Sequence, residues 1–428
     1  MTQTPTAVVP RLSLMMFLQY AVWGAWLPVA ARYMSAATTE GGLGFTPGEI
    51  GAILGLAGSV GALFAPFIAG QVADRYFSTE RFLAFLLIVG GALKWYTSTQ
   101  TGYDSWLWLS IAYSIVYMPT LALSNSMAFA HLKDGQRQFP LVRVWGTLGW
   151  IAASWIFPMI WLQTDLELQA MPPFFVGAEV IDTTARLADS LKFSAMISWG
   201  YAVICFMLPR TPPKRDAVEP LAFRAAFGLL RRRSFFVLVI ASLAISVIHQ
   251  IYFLQTPIFL SHIGMSDSQI GPVMTLGQVS EILIMASLGW MLKRLGFRGV
   301  MFIGAFAYFV RYAIWGFTDL PVEVLVLSQM LHGVCYACFF AGAFIYVDKI
   351  ASADIRNSAQ TVFGILILGG GPVIGGYLYG KLGEIYTPAA AAAPDFSTFW
   401  WILSGIGLVT AVFFLLFFRD ETQDEASA

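Results

Sequence analysis

The chain has 428 residues, of which 57% are hydrophobic and 12% charged, with a formal net charge of zero. Soluble domains carry roughly 25% charged residues, and a single soluble core stops growing near ~250–300 residues. A soluble globule is therefore excluded, lipid is the implied solvent, and the balanced charge argues against a nucleic-acid partner.

In chain order, apolar runs long enough to cross a bilayer, which needs ~20 residues, fall near 11–34, 48–73, 82–100, 105–130, 143–162 and 191–208. A second set follows near 235–261, 269–292, 299–317, 322–347, 356–381 and 398–418, the third and ninth runs being the weakest. The first run is too long for a signal-peptide core, so it reads as a retained helix. The 163–189 stretch is a long external loop with no sign of a folded domain. Three cysteines (Cys205, Cys335 and Cys338) lie inside apolar runs and form no disulfide framework.

Basic residues follow each even-numbered run: Arg75 and Arg81, Lys133 and Arg137, Arg210 to Arg233, Lys293 to Arg298, then Lys349. The intervening loops are acidic or neutral. Cytoplasmic loops retain Lys and Arg, which places both termini in the cytoplasm. The basic linker divides the chain into an N-terminal six-helix bundle at 1–208, a cytoplasmic linker at 209–234, and a C-terminal bundle at 235–428. Within the linker, 221–230 reads as a short surface helix.

The halves echo each other. Gly70 to Asp74 and Arg75 follow the second run; Gly289 to Lys293 and Arg294 follow the eighth. Arg143 opens the fifth run and Arg356 the eleventh. Parallel six-helix halves related by an axis along the membrane normal are a known transporter plan. The Gly-x-x-x-Asp-Arg loop resembles the signature of the major facilitator superfamily. Within that superfamily, FLQYAVWGAWL at 17–27, YMPTLALSNS at 117–126, FPLVRVWGTLGW at 139–150, GQVSE at 277–281 and IRNSAQ at 355–360 resemble the bacterial nucleoside:proton symporters. The resemblance implies an all-α polytopic fold of the major-facilitator type, with twelve transmembrane helices in two pseudo-symmetric six-helix bundles. It also implies proton-coupled nucleoside uptake across the inner membrane by alternating access.

An ionisable group at mid-helix costs at least ~2.5–3.5 kcal/mol, so Lys94, Arg143, His249, Glu281, Arg311 and His332 are candidates. Glu281 leads, because it shares a face with Gln278 one turn away. Burial raises its pKa and a cationic neighbour lowers it, the competition a proton carrier needs. Arg143, Thr147 and Trp150 recur at helical spacing, and Arg143 is expected either to pair with Glu281 or to snorkel to the interface. Gln250 both donates and accepts, which suits a base edge or a ribose hydroxyl. His249 beside it reads equally as a packing histidine or a proton relay.

The resemblance implies that Arg143, Thr147, Trp150, Gln250, Gln278 and Glu281 line the substrate site; Tyr336 is expected as a stacking partner. Gln19 joins them on the aromatic face of the first run with Tyr20, Trp23 and Trp26. The sequence departs from the symporters at Phe253, where they carry asparagine, and at Ala337, where they carry an acid. Asp74, Arg75, Lys293 and Arg294 are expected to latch the cytoplasmic side.

His332, Cys335 and Cys338 recur every third residue, but a closed zinc site takes four ligands and no fourth stands near in sequence, so no metal or other cofactor is expected. No metalloprotease or nucleophile-elbow motif points to an enzyme. A sugar symporter on the same fold and a transport-inactive sensor remain the competing readings. The expected partners are a nucleoside, protons and the lipid bilayer, with the chain a monomer.

Overall fold

A bilayer core offers no hydrogen bonds, so a crossing segment must satisfy its own backbone, and a helix does so. The computed structural model describes residues 8–68, 76–133, 135–212, 228–352, 356–387 and 394–422. Among these, nine helical stretches are long and apolar enough to cross a membrane. They supply α1 (Val8–Ser35), α2 (Pro47–Ala65), α4 (Tyr103–His131), α5 (Arg137–Trp161), α7 (Arg233–His262), α10 (Val322–Ile350), α11 (Ala359–Tyr386) and α12 (Phe396–Phe417).

The ninth stretch, Asp267–Gly316, is two helices, because Gly296 takes a left-handed φ of 65° that breaks the ladder. The pieces are α8 (267–295) and α9 (297–316). The remaining elements are α3 (Thr79–Thr97), which carries Glu80, Arg81 and Lys94, and α6 (Asp189–Cys205), which has only 17 residues. The described part of each apolar run expected from the sequence falls on one of these helices, and the end of the second run, 69–73, lies outside the described residues. The 163–189 loop is folded back on itself through isolated bridges at Gln163–Glu179 and Leu168–Phe175. The expected linker helix at 221–230 lies largely outside the described residues; Leu229–Arg231 forms a single tight turn.

The chain divides into two compact units. The first holds Met1–Phe45, Ala52–Val218 and Thr256–Pro272; the second holds Thr46–Gly51, Glu219–Gln255 and Val273–Ala428. Inside the first unit, α1 packs on α5, α2 on α4 and α3 on α6. Inside the second, α7 packs on α11, α8 on α10 and α9 on α12. The internal repeat is thus realised as three matched pairs offset by six helices.

Serine joins five of these pairs by donating to a carbonyl of the neighbouring helix. Ser154 reaches Gly24 O at 3.0 Å, Ser114 reaches Ala57 O at 2.6 Å and Ser198 reaches Leu87 O at 2.8 Å. Ser246 reaches Ile367 O at 2.6 Å and Ser404 reaches Phe309 O at 3.0 Å. Such bonds average only ~0.6 kcal/mol in a membrane, yet they set which faces meet. Close approach also demands small residues: a side chain at Gly149 would run into the Phe17 carbonyl.

Ser114 does more than join α4 to α2. Its hydroxyl also accepts from Gly61 N at 3.1 Å, so it stands between the carbonyl of Ala57 and the amide four residues on. An inserted side chain opens a helical ladder; the turn just before it, Ala52–Ala57, is a wide π-turn. Two further π-turns, Cys335–Ala341 and Leu366–Gly370, lie in α10 and α11. Turns of this kind concentrate at functional sites.

Candidate functional site

In the first unit, polar side chains gather where α1, α4 and α6 meet. Gln19 is fully buried; its Nε2 donates to Thr120 Oγ1 at 2.8 Å and its Oε1 accepts from Ser124 Oγ at 2.9 Å. Ser124 also meets the Tyr201 hydroxyl at 3.0 Å, and Tyr117 OH donates to the Gln19 carbonyl at 2.5 Å. The Gln19 amide, expected from the sequence to face substrate, is therefore engaged inside the unit.

On top of this network lies an aromatic layer: Trp23 packs edge-on against Tyr117 at 6.1 Å and against Trp150 at 5.9 Å. Arg143 sits with its guanidinium 4.0 Å from the centre of the Tyr20 ring, a cation–π contact that holds it inward on α5. Thr147, one turn on, is partly buried. Lys94, another costly ion, lies 3.1 Å from the Trp26 ring centre and 4.1 Å from that of Tyr113.

In the second unit, the α8/α10 crossing is the tightest polar feature. A side chain at Gly333 would collide with Glu281 N and with Ser280, and one at Gly277 would lie 2.9 Å from the His332 ring. Glycine at both places lets the two backbones touch, which fixes Glu281 and Gln278 beside α10. Gln278 is 8% exposed and its Oε1 has no hydrogen-bond partner among the described residues. An unpaired buried acceptor costs ~1–3 kcal/mol, so this carbonyl is able to accept from an entering donor. Glu281 is partly buried.

Gln250 on α7 packs against α11, where a side chain at Gly375 would lie 2.9 Å from its Cβ. His249 Nδ1 meets the Tyr308 hydroxyl at 2.8 Å, and its ring stacks on His332 at 5.3 Å. Tyr336, within the α10 π-turn, lies 6.0 Å from His249. Ala337 in the same turn is fully buried. Lys293 and Arg294 are exposed, Arg294 resting 4.8 Å from the Trp290 ring centre. Asp74 and Arg75 lie outside the described residues. No group of three or more metal-ligating side chains occurs among the described residues.

Several partners were not singled out from the sequence. Thr120 and Ser124 sit inside the YMPTLALSNS stretch, so their signal was the motif itself. Tyr308 gave no signal until α9 was brought against α7.

A family model described as "Nucleoside H+ symporter" matches residues 6–423. The chain is 32% identical to a putative nucleoside transporter of Escherichia coli, YegT, over 97% of this chain and 94% of that one. It is 27% identical to the nucleoside permease NupG of the same organism, over 96% and 95% of the two chains. A crystal structure of nucleoside transporter NupG superposes with a TM-score of 0.80 at 26% identity, covering 96% of this chain and 99% of that one.

Proposed function

Because the chain belongs to the nucleoside:H+ symporter family, we propose that it takes up nucleosides together with protons across the bacterial inner membrane. The observation that carries this reading is the family match over residues 6–423. The chain is a transporter rather than an enzyme, with the fold of its nucleoside-transporting relatives.

In the proposed arrangement twelve helices cross the membrane as two bundles, 1–208 and 235–428, joined by a cytoplasmic linker at 209–234, with both termini cytoplasmic and the chain a monomer. Gln250, Gln278, Glu281, Tyr336, Arg143, Thr147 and Trp150 are the proposed substrate contacts. Gln278 supports this role by its unpaired, buried Oε1. Gln19 acts from behind, holding α4 against α1 so that Tyr117, Trp23 and Trp150 keep their places.

Glu281 is the proposed proton carrier. When it gains a proton its charge is lost, and with it the cost of leaving water. His249 takes part as a hydrogen-bond relay through Tyr308. Asp74, Arg75, Lys293 and Arg294 are the proposed cytoplasmic latch.

Purified protein in liposomes tests the reading. An inward proton gradient should drive accumulation of uridine or adenosine but not of hexoses. Glu281→Gln should abolish accumulation while leaving exchange of labelled nucleoside. Hexose accumulation without nucleoside uptake would assign the sugar reading instead.

A further inference from the structure

Arg311 on α9 is fully buried. Its guanidinium lies 3.9 Å from the Tyr252 ring centre and 4.7 Å from that of Trp315. Among the described residues no carboxylate pairs with it. Its polar contacts are Nη1 to His332 Nδ1 at 3.0 Å and Nη2 to Gln329 Oε1.

A guanidinium has five N–H donors and no acceptor. The nitrogen facing it must offer a lone pair, so His332 Nδ1 is unprotonated and the ring proton sits on Nε2. Adding a second proton would set N–H against N–H and place two cations side by side in a buried site. The other ionisable groups near His332 are His249 and Tyr252 from α7, Cys335 on its own helix, and Glu281, whose backbone meets Gly333; Tyr308 from α9 meets His249. No carboxylate contacts the imidazole ring among the described residues.

His332 Nε2 finds no acceptor among the described residues. The Cδ2 edge of that ring lies against Gly277, the residue before Gln278. At the α8/α10 crossing His332 Nε2–H is thus a donor without a partner and Gln278 Oε1 an acceptor without one among the described residues; Gln329 Nε2 and Arg311 Nε are unpaired there too.

We infer that Arg311 is a positioning residue that locks His332 as the neutral Nε2–H tautomer, making it a donor for an acceptor atom of the substrate. Paired with Gln278, it suits substrates presenting an adjacent acceptor and donor, as the imide or amide edge of a nucleobase does. The substrate half of this inference rests on the nucleoside reading; the tautomer half does not.

The chain has four histidines, so full-length protein labelled with 15N-histidine in nanodiscs gives a readable imidazole spectrum. His332 is assigned by the signal lost in His332→Gln. Between pH 5.5 and 8 it should remain neutral and Nε2-protonated. Arg311→Lys, which keeps a buried donor cation, should retain that state; Arg311→Gln should release it into titration or tautomer exchange. A wild-type His332 that is doubly protonated at pH 6, or protonated on Nδ1, overturns the inference.

Uptake supplies the second readout. In Arg311→Gln the KM for uridine should rise about tenfold, the loss of one oriented hydrogen bond. Its pH profile should gain an ionisation that Arg311→Gln/His332→Gln lacks. Unchanged KM and pH profile in Arg311→Gln would refute the substrate role. Locked His332 with no nucleoside uptake by the wild type would instead overturn the nucleoside reading and leave the tautomer assignment standing.

Discussion

Arg32 Nε lies 2.8 Å from Asp267 Oδ1, and the two side chains are 17% and 6% exposed. Residues 235 apart in sequence are thereby tied together within the first unit. Asp267 Oδ2 also accepts from Thr184 Oγ1 at 2.6 Å, while Glu40, 55% exposed, touches Arg32 at 3.3 Å. A nearly buried carboxylate is thus fully engaged, and the exposed Glu40 contact adds little.

Removing one partner of such a pair leaves the other uncompensated. Asp267→Ala should destabilise the protein by about 3 kcal/mol, the lower end for a buried pair. Arg32→Gln should cost a similar amount, and the double variant much less than the sum. Thermal unfolding in detergent measures all three; additive losses would show that the two residues are not coupled.

Gln19 is expected to act on stability before affinity. Gln19→Ala removes the buried amide that Thr120 and Ser124 engage, and should cost about 1–3 kcal/mol. Nucleoside affinity, measured by binding on protein that remains folded, should change less than it does in Gln278→Ala.

Gly333→Ala probes the α8/α10 crossing, where an added methyl meets the Glu281 amide and the Ser280 backbone. Overpacking of this kind costs roughly 1–3 kcal/mol. Uptake should fall beyond what the stability loss explains, because Glu281 is displaced along with the helix. Equal uptake and unfolding temperature in Gly333→Ala would show that the contact yields freely.

Asp395 caps α12 by accepting from Thr398 N at 2.8 Å. Hydrogen bonds from Thr398 hold its carboxyl below the usual value of 3.8. A carboxylate depressed in the folded state contributes stability that is present above its unfolded pKa and lost as pH falls through the folded one. Asp395→Ala should therefore cost about 1 kcal/mol at neutral pH. The gap from wild type should close on acidification below the ordinary carboxylate range. Asp395→Asn, which keeps a capping oxygen, should remove most of that pH dependence. Unfolding curves taken from pH 6 downward give the comparison.

Helix placement was legible in the sequence because lipid enforces it residue by residue. A run of apolar side chains either spans or does not, and the described positions expected for α1 to α12 fall on helices. The repeat was legible through Arg143 and Arg356 and through the charged exits. Its physical form was not: matched pairs joined by Ser114, Ser154, Ser198, Ser246 and Ser404. A serine in an apolar run looks alike whether it faces lipid, its own helix or a neighbour's carbonyl.

The sequence by itself determined which residues share a face. Helical spacing alone puts Gln278 with Glu281, and Arg143 with Thr147 and Trp150. It also identified Arg311 and His332 as ions and imidazoles too costly to leave unexplained. Only the tertiary structure decided what each face meets. It turned the Gln19 amide inward to Thr120, set Arg311 against His332, and brought the α8 backbone onto Gly333. The reason is geometric: distances within a helix follow from its pitch, whereas contacts between helices depend on crossings among segments far apart in the chain.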